Sequence, residues 1–141
     1  MRTNHRGFTL IELAIVLVVM GILFAMGVPA YKSYTQSYTL RGAAENMAAQ
    51  MRLVRERAIA TGTDIYWGCN PGYLNTDYHI HQGSPLIGWK FPNGITYAGS
   101  MPHIWFRKDG RVDASWIIPL RNQRGDRDTV SVLLSGMVTS Y

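Results

Sequence analysis

One apolar segment near the start of the chain limits its fold more than any other feature. From Phe8 to Val28 every side chain is apolar, small or hydroxylated, with Glu12 as the exception. At 1.5 Å rise per residue, a helix over this segment is roughly 30 Å long, about the thickness of a bilayer's hydrocarbon core. The segment therefore predicts a membrane-spanning helix and leaves fewer apolar residues for a core elsewhere.

This segment has two ordinary interpretations, a secretory signal peptide and a plain membrane anchor. A secretory signal peptide has a shorter apolar region followed by a small-residue cleavage site, and the stretch from Ala25 to Pro29 is a poor match to such a site. A plain membrane anchor fits the length but not Glu12, because a carboxylate at the bilayer centre costs about 2.5–3.5 kcal/mol and is usually paired. The carboxylate therefore calls for a specific partner.

Cleavage between Gly7 and Phe8 would create that partner. Phe8 would then carry a free α-amino group four residues from Glu12, which is one helical turn. A carboxylate in the first turn also suits the positive end of the helix dipole. The same two groups can pair within one chain or between neighbouring copies, so Glu12 is predicted to set the register of helices that pack together.

Composition sets broad limits on the rest of the chain. The 141 residues, 47% of them hydrophobic, are enough for one modest domain with a packed core. The formal charge of +5 includes Arg2 and Arg6, so the remainder is only mildly basic and does not by itself indicate a nucleic-acid partner. Cys69 is the only cysteine, which excludes a disulfide within these residues and predicts a small buried apolar side chain.

The helix is predicted to continue from Tyr31 to Thr61. Its apolar residues repeat at alternating spacings of four and three, which places them on one face: Leu40, Ala44, Met47, Met51, Val54 and Ala58. Gly62 follows as the expected left-handed residue after the helix, and Pro29 predicts a bend. The helix is thus apolar all round in its first half and has one apolar face in its second.

After Gly62 the pattern changes to short β-branched and aromatic runs separated by Gly, Pro and Asn, which predicts strands. The predicted strands are Asp64–Trp67, Tyr78–His81, Ile87–Phe91, Ile95–Ala98, His103–Arg107, Val112–Ser115, Trp116–Leu120, Val130–Leu134 and Met137–Ser140. Tight turns are predicted at Lys108–Arg111 and Leu134–Gly136, and a polar loop at Asn122–Asp128. The predicted fold class is α+β, a long N-terminal helix packed against an antiparallel β-sheet.

The stretch RGFTLIEL, Arg6 to Leu13, resembles the class III signal of type IV prepilins and pseudopilins. The resemblance implies that a prepilin peptidase cuts after Gly7, that the new terminal Phe8 is methylated, and that Glu12 guides filament assembly. It also implies a helix-kinking role for Pro29. The implied divisions are a leader at 1–7, a transmembrane and filament-core helix at 8–30, an amphipathic continuation at 31–62 and a periplasmic β-rich domain at 63–141.

Three later stretches resemble the GspH/FimT family of these proteins: MRLVRERAIATGTDIY from Met51, IWFRKDGRV from Ile104 and VSVLLSGMV from Val130. A major pilin usually has a disulfide-closed region near its C-terminus, which one cysteine cannot form. The resemblance therefore implies a minor pseudopilin in the pseudopilus of a type II secretion system. The alternative is a FimT-like minor pilin of a type IV pilus that takes part in assembly or DNA uptake.

Candidate chemical sites are few. His79 and His81 share one face of a predicted strand at a spacing that can hold a metal, but a solvent-facing or hydrogen-bonded pair is favoured and no metal or other cofactor is expected. His103 is placed in a turn without a role. No catalytic motif is present, so an enzyme is not expected.

Arg121, Arg124 and Arg127 recur at every third residue and form a candidate anion or DNA contact. A solvated loop with weak local ion pairs is favoured instead. DNA-binding FimT-like proteins carry a Gly-Arg-x-Arg element near the C-terminus, and here the matching stretch, Gly136 to Thr139, lacks both arginines. DNA is therefore a disfavoured partner.

Location and partners follow from charge and from the resemblance. Basic residues before the apolar segment predict a cytoplasmic leader and a globular part on the periplasmic side of the inner membrane. The expected partners are the prepilin peptidase, other pilins or pseudopilins in a filament, and the membrane itself. A third hypothesis, a plain anchored periplasmic binding module, predicts no cleavage after Gly7.

Overall fold

The fold is described from a computed structural model, which covers residues 8–81 and 87–141. The predicted leader and Gly7 lie outside the described residues. The chain divides into two compact units, one that ends at Thr35 and one from Gln36 to Tyr141.

In the first unit the described residues are helical apart from the first two. The helix α1, Leu10–Thr61, begins there, and every side chain from Phe8 to Lys32 is exposed. It is the only helix among the described residues that is long and apolar enough to cross a membrane, with a mean hydropathy of 2.6 over its most apolar window. Pro29 lies inside α1, and its predicted bend stays a prediction.

The part of α1 in the second unit has the predicted buried face. Its buried residues are Leu40, Ala43, Ala44, Met47, Ala48, Met51, Val54 and Ala58, which include all six that the sequence pattern indicates. The helix ends as predicted at Gly62, whose φ of 64° is left-handed. The Thr63 and Gly62 amides donate to the carbonyls of Ala58 and Ile59, the hydrogen bonds of a Schellman motif.

The described part of the second unit contains eight strands after the helix. They are β1 (Ile65–Cys69), β2 (Tyr78–His81), β3 (Ile87–Trp89), β4 (Thr96–Tyr97), β5 (His103–Phe106), β6 (Trp116–Arg121), β7 (Arg127–Val132) and β8 (Val138–Ser140). A short 3-10 helix, Tyr73–Asn75, lies between β1 and β2. All strand pairs are antiparallel, and they form two sheets with the orders β3-β2-β1-β5 and β4-β6-β7-β8.

The α+β class is confirmed, but the single sheet of the prediction is two sheets. The predicted strand Val112–Ser115 is wrong, because only Val112 pairs, in an isolated bridge with Phe106. The two polar residues that follow bond to the backbone through their side chains instead. Asp113 accepts from the Trp105 amide at 3.3 Å, and the Ser115 hydroxyl accepts from the Leu134 amide at 3.1 Å.

The other predicted boundaries shift by a few residues. The polar loop Asn122–Asp128 is shorter than predicted, since Arg127 and Asp128 already belong to β7 and Arg127 is the Cα partner of Arg121. Both predicted tight turns are confirmed. The Gly110 amide donates to the Arg107 carbonyl at 2.8 Å, and the Gly136 amide to the Leu133 carbonyl at 2.7 Å.

The core is formed by the buried face of α1 and one face of each sheet. Its largest fully buried side chains beyond the helix are Trp67, Phe106, Ile65, Ile104, Ile118, Leu120, Val130 and Val132. Cys69 belongs to this core at 2% exposure, as predicted. Burial raises the pKa of its thiol to about 11, so the group stays protonated and unreactive near neutral pH.

Candidate functional site

Glu12 lies in the first turn of α1, where its carboxylate caps the helix. The Thr9 amide and the Thr9 hydroxyl both donate to Oε2 of Glu12, at 2.8 and 2.9 Å. In return the Glu12 amide donates to the Thr9 hydroxyl at 3.3 Å. This is a capping box, with Thr9 as the N-cap residue and Glu12 three residues later.

The capping box gives Glu12 a structural role in addition to its predicted pairing with the α-amino group of Phe8. Thr9 followed by Glu12 is visible in the sequence as the Thr-x-x-Glu signature, and sequence analysis missed it. Both Thr9 donors contact the same oxygen of the carboxylate. Phe8, the residue before Thr9, is 85% exposed. Its pairing with Glu12 after cleavage stays a prediction, as do the roles of Gly7, Phe8 and Pro29.

Two of the three loop arginines come together. Arg121 and Arg127 are Cα partners at the end of the β6–β7 pair. Arg121 donates through Nε to the Thr96 hydroxyl at 3.4 Å, and Arg127 lines a separate cavity of about 270 Å³ beside the Arg41–Glu45 ion pair. The two side chains therefore start from opposite positions of one strand pair but have different neighbours, and their like charges repel.

Arg124 lies in the turn between the two strands, and this turn has its own internal bonds. The side-chain oxygen of Asn122, which is buried, accepts from the Arg124 and Asp126 amides at 3.0 Å each. The Asn122 side-chain amide donates to Asp126 Oδ2 at 2.8 Å, and the Ser37 hydroxyl donates to the same oxygen at 3.1 Å. These bonds lower the pKa of Asp126, which also lies 4.0 Å from Arg124. Sequence analysis did not identify Asn122 as the organiser of this turn.

The stretch that matches the Gly-Arg-x-Arg element forms the turn into β8. Gly136 has a φ of 77°, Met137 is 52% exposed, and Val138 is buried in the core. The stretch itself therefore exposes an apolar side chain, and the cationic group beside it belongs to α1, where Nε of Arg52 donates to the Val138 carbonyl at 3.0 Å.

The histidines differ from their predicted placement. His81 is exposed, but His79 is only 3% exposed, so the solvent-facing alternative of the prediction is wrong for His79, whose buried Nδ1 has no hydrogen-bond partner. His103 lies in β5 rather than a turn, and its Nδ1 shares a short hydrogen bond with the Tyr66 hydroxyl. Within residues 8–81 and 87–141, no three His, Cys, Asp or Glu side chains are grouped so that they could hold a metal ion.

Comparisons with known proteins identify one family match in the N-terminal segment and several relatives. Residues 2–28 match the family described as the prokaryotic N-terminal methylation motif. A fimbrial protein of Pseudomonas aeruginosa is 37% identical over 84 residues, which cover 60% of this chain and 54% of the relative. A type IV major pilin of Neisseria gonorrhoeae is 29% identical over 110 residues, 78% of this chain and 48% of the relative.

A shorter alignment has a higher sequence identity. A fimbrial protein of Neisseria meningitidis serogroup B is 57% identical over 35 residues, 25% of this chain and 21% of the relative. The chain spans about half the length of the first two relatives. No solved structure matches it.

Proposed function

Because the chain belongs to the type IV pilin-like superfamily, we propose that it is a filament subunit that is anchored by its apolar helix before it is assembled. Its relatives are structural pilins, a non-enzymatic class of protein. Within that class it takes part in the assembly of a pilus or a pseudopilus.

The observation that carries this proposal is the surface of the first part of α1. Every described side chain from Phe8 to Lys32 is exposed. The large apolar residues among them are between 48% and 88% exposed. Such a surface is stable only in lipid or against other apolar helices. A membrane anchor that later packs in a filament core meets both environments in turn.

In this proposal the first turn of α1 is the assembly site. The prepilin peptidase cuts after Gly7, the α-amino group of Phe8 becomes free and is methylated, and Glu12 pairs with that amine on a neighbouring subunit. The capping box supports this role, since it holds the carboxylate at the very start of the helix through Thr9. The carboxylate is thus already oriented when the helix leaves the membrane.

At a finer level we propose a minor pseudopilin of a type II secretion system, with its globular part in the periplasm and its anchor in the bacterial inner membrane. The single buried cysteine supports this assignment, because no disulfide-closed region can form within the 141 residues. The alternative is a minor pilin of a type IV pilus. It is favoured by the relatives, which are named as fimbrial protein and type IV major pilin, and by the cross-strand neighbours Arg121 and Arg127, which are two cationic side chains for contact with a phosphate backbone.

The subunit proposal is tested by Glu12→Ala in the full chain, with Glu45→Ala as the matched control. Glu45 lies on the same helix, is exposed, and pairs only locally with Arg41. We expect both variants to be cleaved normally, but only Glu12→Ala to be missing from sheared filaments. Wild-type incorporation of Glu12→Ala would contradict the assigned role of the carboxylate.

The finer assignment is tested in a strain without this gene, where secreted protein and DNA uptake are measured in the same cells. Loss of secretion alone supports the pseudopilus, whereas loss of uptake with normal secretion supports the type IV pilus. In the second case a double variant, Arg121→Ala with Arg127→Ala, should reduce uptake more than Arg124→Ala, because Arg124 lies in the separate turn beside Asp126.

A further inference from the structure

The first sheet has an outward face covered with aromatic and imidazole rings, called here the ring face. Along β1, β2 and β5 the side chains alternate, so that one set enters the core and the other points away from it. The outward set occupies two adjacent cross-strand rows. The first row is His81–Tyr66–Trp105, and the second is His79–Gly68–His103.

Tyr66 is the centre of the ring face. Its ring centroid lies 5.2 Å from that of Trp105, 5.3 Å from that of His81 and 5.5 Å from that of His103. The Tyr66 hydroxyl also shares a hydrogen bond with Nδ1 of His103. The rings therefore hold one another in place, so the side chains lose little conformational entropy when a ligand stacks on them.

Gly68 provides the depression into which the His79 ring fits. A Cβ at Gly68 would lie 2.7 Å from Nε2 of His79, so no larger residue leaves room for the imidazole. Tyr73 covers the other side, with its ring centroid 4.8 Å from that of His79. The buried Nδ1 of His79 has no hydrogen-bond partner, so packing between Gly68 and Tyr73 holds this ring and completes the ring face.

The six positions of the two rows hold three imidazoles, two larger aromatic rings and a glycine, with no carboxylate, lysine or arginine among them. Trp105 is 42% and Tyr73 41% exposed, and His81 and His103 are exposed as well. Burial, together with the nearby His81 and His103, lowers the pKa of His79, so that ring is neutral at pH 7. The flanking charges Arg107 and Asp64 bind each other at 3.0 Å.

A surface without carboxylate, ammonium or guanidinium groups selects its ligand. A nucleic acid needs several Lys or Arg contacts with its phosphates, and the two rows hold neither residue. A sugar ring with equatorial substituents presents C–H groups on its faces and hydroxyl groups around its edge. Aromatic rings bind the first, and the ring nitrogens of imidazoles bind the second through hydrogen bonds.

We propose that the ring face binds a neutral glycan of β-linked, glucose-type rings. Trp105 and Tyr66 stack against the faces of the sugar rings, and His81 and His103 bond to their hydroxyl groups at the edge. This ligand goes beyond the proposed filament role and does not depend on it, because the site is complete within the second unit.

The proposal is tested with the full chain, purified in a polyoxyethylene detergent so that no sugar headgroup competes. Cellohexaose and chitohexaose are titrated by isothermal calorimetry into wild type, Trp105→Ala, Trp105→Phe and Ile117→Ala. Ile117 is 63% exposed on the second sheet and is the matched surface control. We expect Trp105→Ala to bind at least about tenfold more weakly, Trp105→Phe less than about threefold, and Ile117→Ala as wild type.

Three outcomes overturn the proposal. The first is no saturable binding of either oligosaccharide by wild type. The second is equal binding by Trp105→Ala and Ile117→Ala when the two unfold at the same temperature. The third is salt-dependent binding of a thymidine oligonucleotide, lost in Trp105→Ala, without oligosaccharide binding. The intermediate affinity of Trp105→Phe separates loss of the stacking ring from loss of the fold, since that variant keeps a ring at the position.

Discussion

The two parts of α1 share one helical geometry but differ in what surrounds their apolar side chains. From Phe8 to Lys32 no described side chain is buried, whereas eight residues between Leu40 and Ala58 are buried at 3% exposure or less. The later part alternates these residues with exposed charged ones such as Arg41, Glu45 and Arg52. The apolar residues of the first part point in all directions.

This difference shows that hydrophobicity alone does not decide what a helix binds. A helix with one apolar face can be satisfied by the core of its own domain, and the second part of α1 is satisfied in this way. A helix that is apolar on all sides cannot bury its whole surface against one small domain. Its stabilising contacts must come from lipid or from other chains, and substitutions in the two parts should therefore differ in effect.

The sharpest test compares two methionines of α1. Met47 is fully buried and Met20 is 50% exposed. We expect Met47→Ala to lower the unfolding free energy of the second unit by about 2–5 kcal/mol, because it removes buried atoms and leaves a cavity. Met20→Ala should change the same free energy by less than about 0.5 kcal/mol.

The measurement is urea unfolding of the full chain in detergent, followed by tryptophan fluorescence. All four tryptophans, Trp67, Trp89, Trp105 and Trp116, belong to the second unit, so the signal reports on that unit alone. Equal losses for the two variants would show that the apolar first part of α1 stabilises the domain directly, and the contrast between the parts would fail.

Much of this contrast could be predicted from the sequence, because it depends on local periodicity. The apolar segment, the buried face from Leu40 to Ala58 and the glycine at position 62 all follow from spacing along a single helix. The turns at Gly110 and Gly136 follow from residue type in the same way. Each of these features is determined by residues close to one another in the chain.

Features that depend on distant partners were missed. The division into two sheets depends on which strands pair, and alternation within a strand does not encode its neighbour. His79 is buried because Gly68 lies beside it on another strand and Tyr73 covers it from the short 3-10 helix. At the candidate site, the Thr9–Glu12 capping box was visible as a short motif. The predicted pair of Phe8 and Glu12 depends on a cleavage that alters the chain itself.

A second test compares glycines of the two regions. Gly136 has a φ of 77°, and a Cβ there would clash with the Gly110 carbonyl oxygen. We expect Gly136→Ala to cost about 2–3 kcal/mol, from backbone strain and from the displaced turn. Gly21 has nothing within 4 Å of an added Cβ, so Gly21→Ala should leave the unfolding transition of the domain unchanged.

Gly62→Ala gives the intermediate point of this series. Its φ of 64° is also left-handed, but no atom lies within 4 Å of an added Cβ. The expected cost is about 1 kcal/mol, from backbone conformation alone. Thermal unfolding followed by tryptophan fluorescence should therefore rank the variants Gly136→Ala, Gly62→Ala and Gly21→Ala from least to most stable. A Gly136→Ala protein as stable as Gly62→Ala would show that the turn relaxes without loss.

The smallest expected effect concerns the carboxylates of the two regions. Among the described residues Glu12 bonds to Thr9, three positions away, whereas Asp126 bonds to Asn122 and also to Ser37, which is 89 positions away. The pKa of Asp126 is held below its ordinary value of 3.8, so its charged form is favoured by folding. Its contribution to stability is thus fully present above that value and is lost as the pH falls through the lower folded pKa.

Asp126→Asn should therefore be less stable than wild type at about pH 7, and the gap should be narrower at a pH well below 3.8, because the wild-type carboxylate loses the same charge as it is protonated. Urea midpoints at the two pH values measure it. In a Ser37→Ala background the gap at neutral pH should be smaller, because one of the donors to the carboxylate is already gone. A gap that is the same with and without the Ser37 hydroxyl would mean that Asp126 acts only within its own turn. The contact between the helix and the turn would then add nothing to the stability of the second unit.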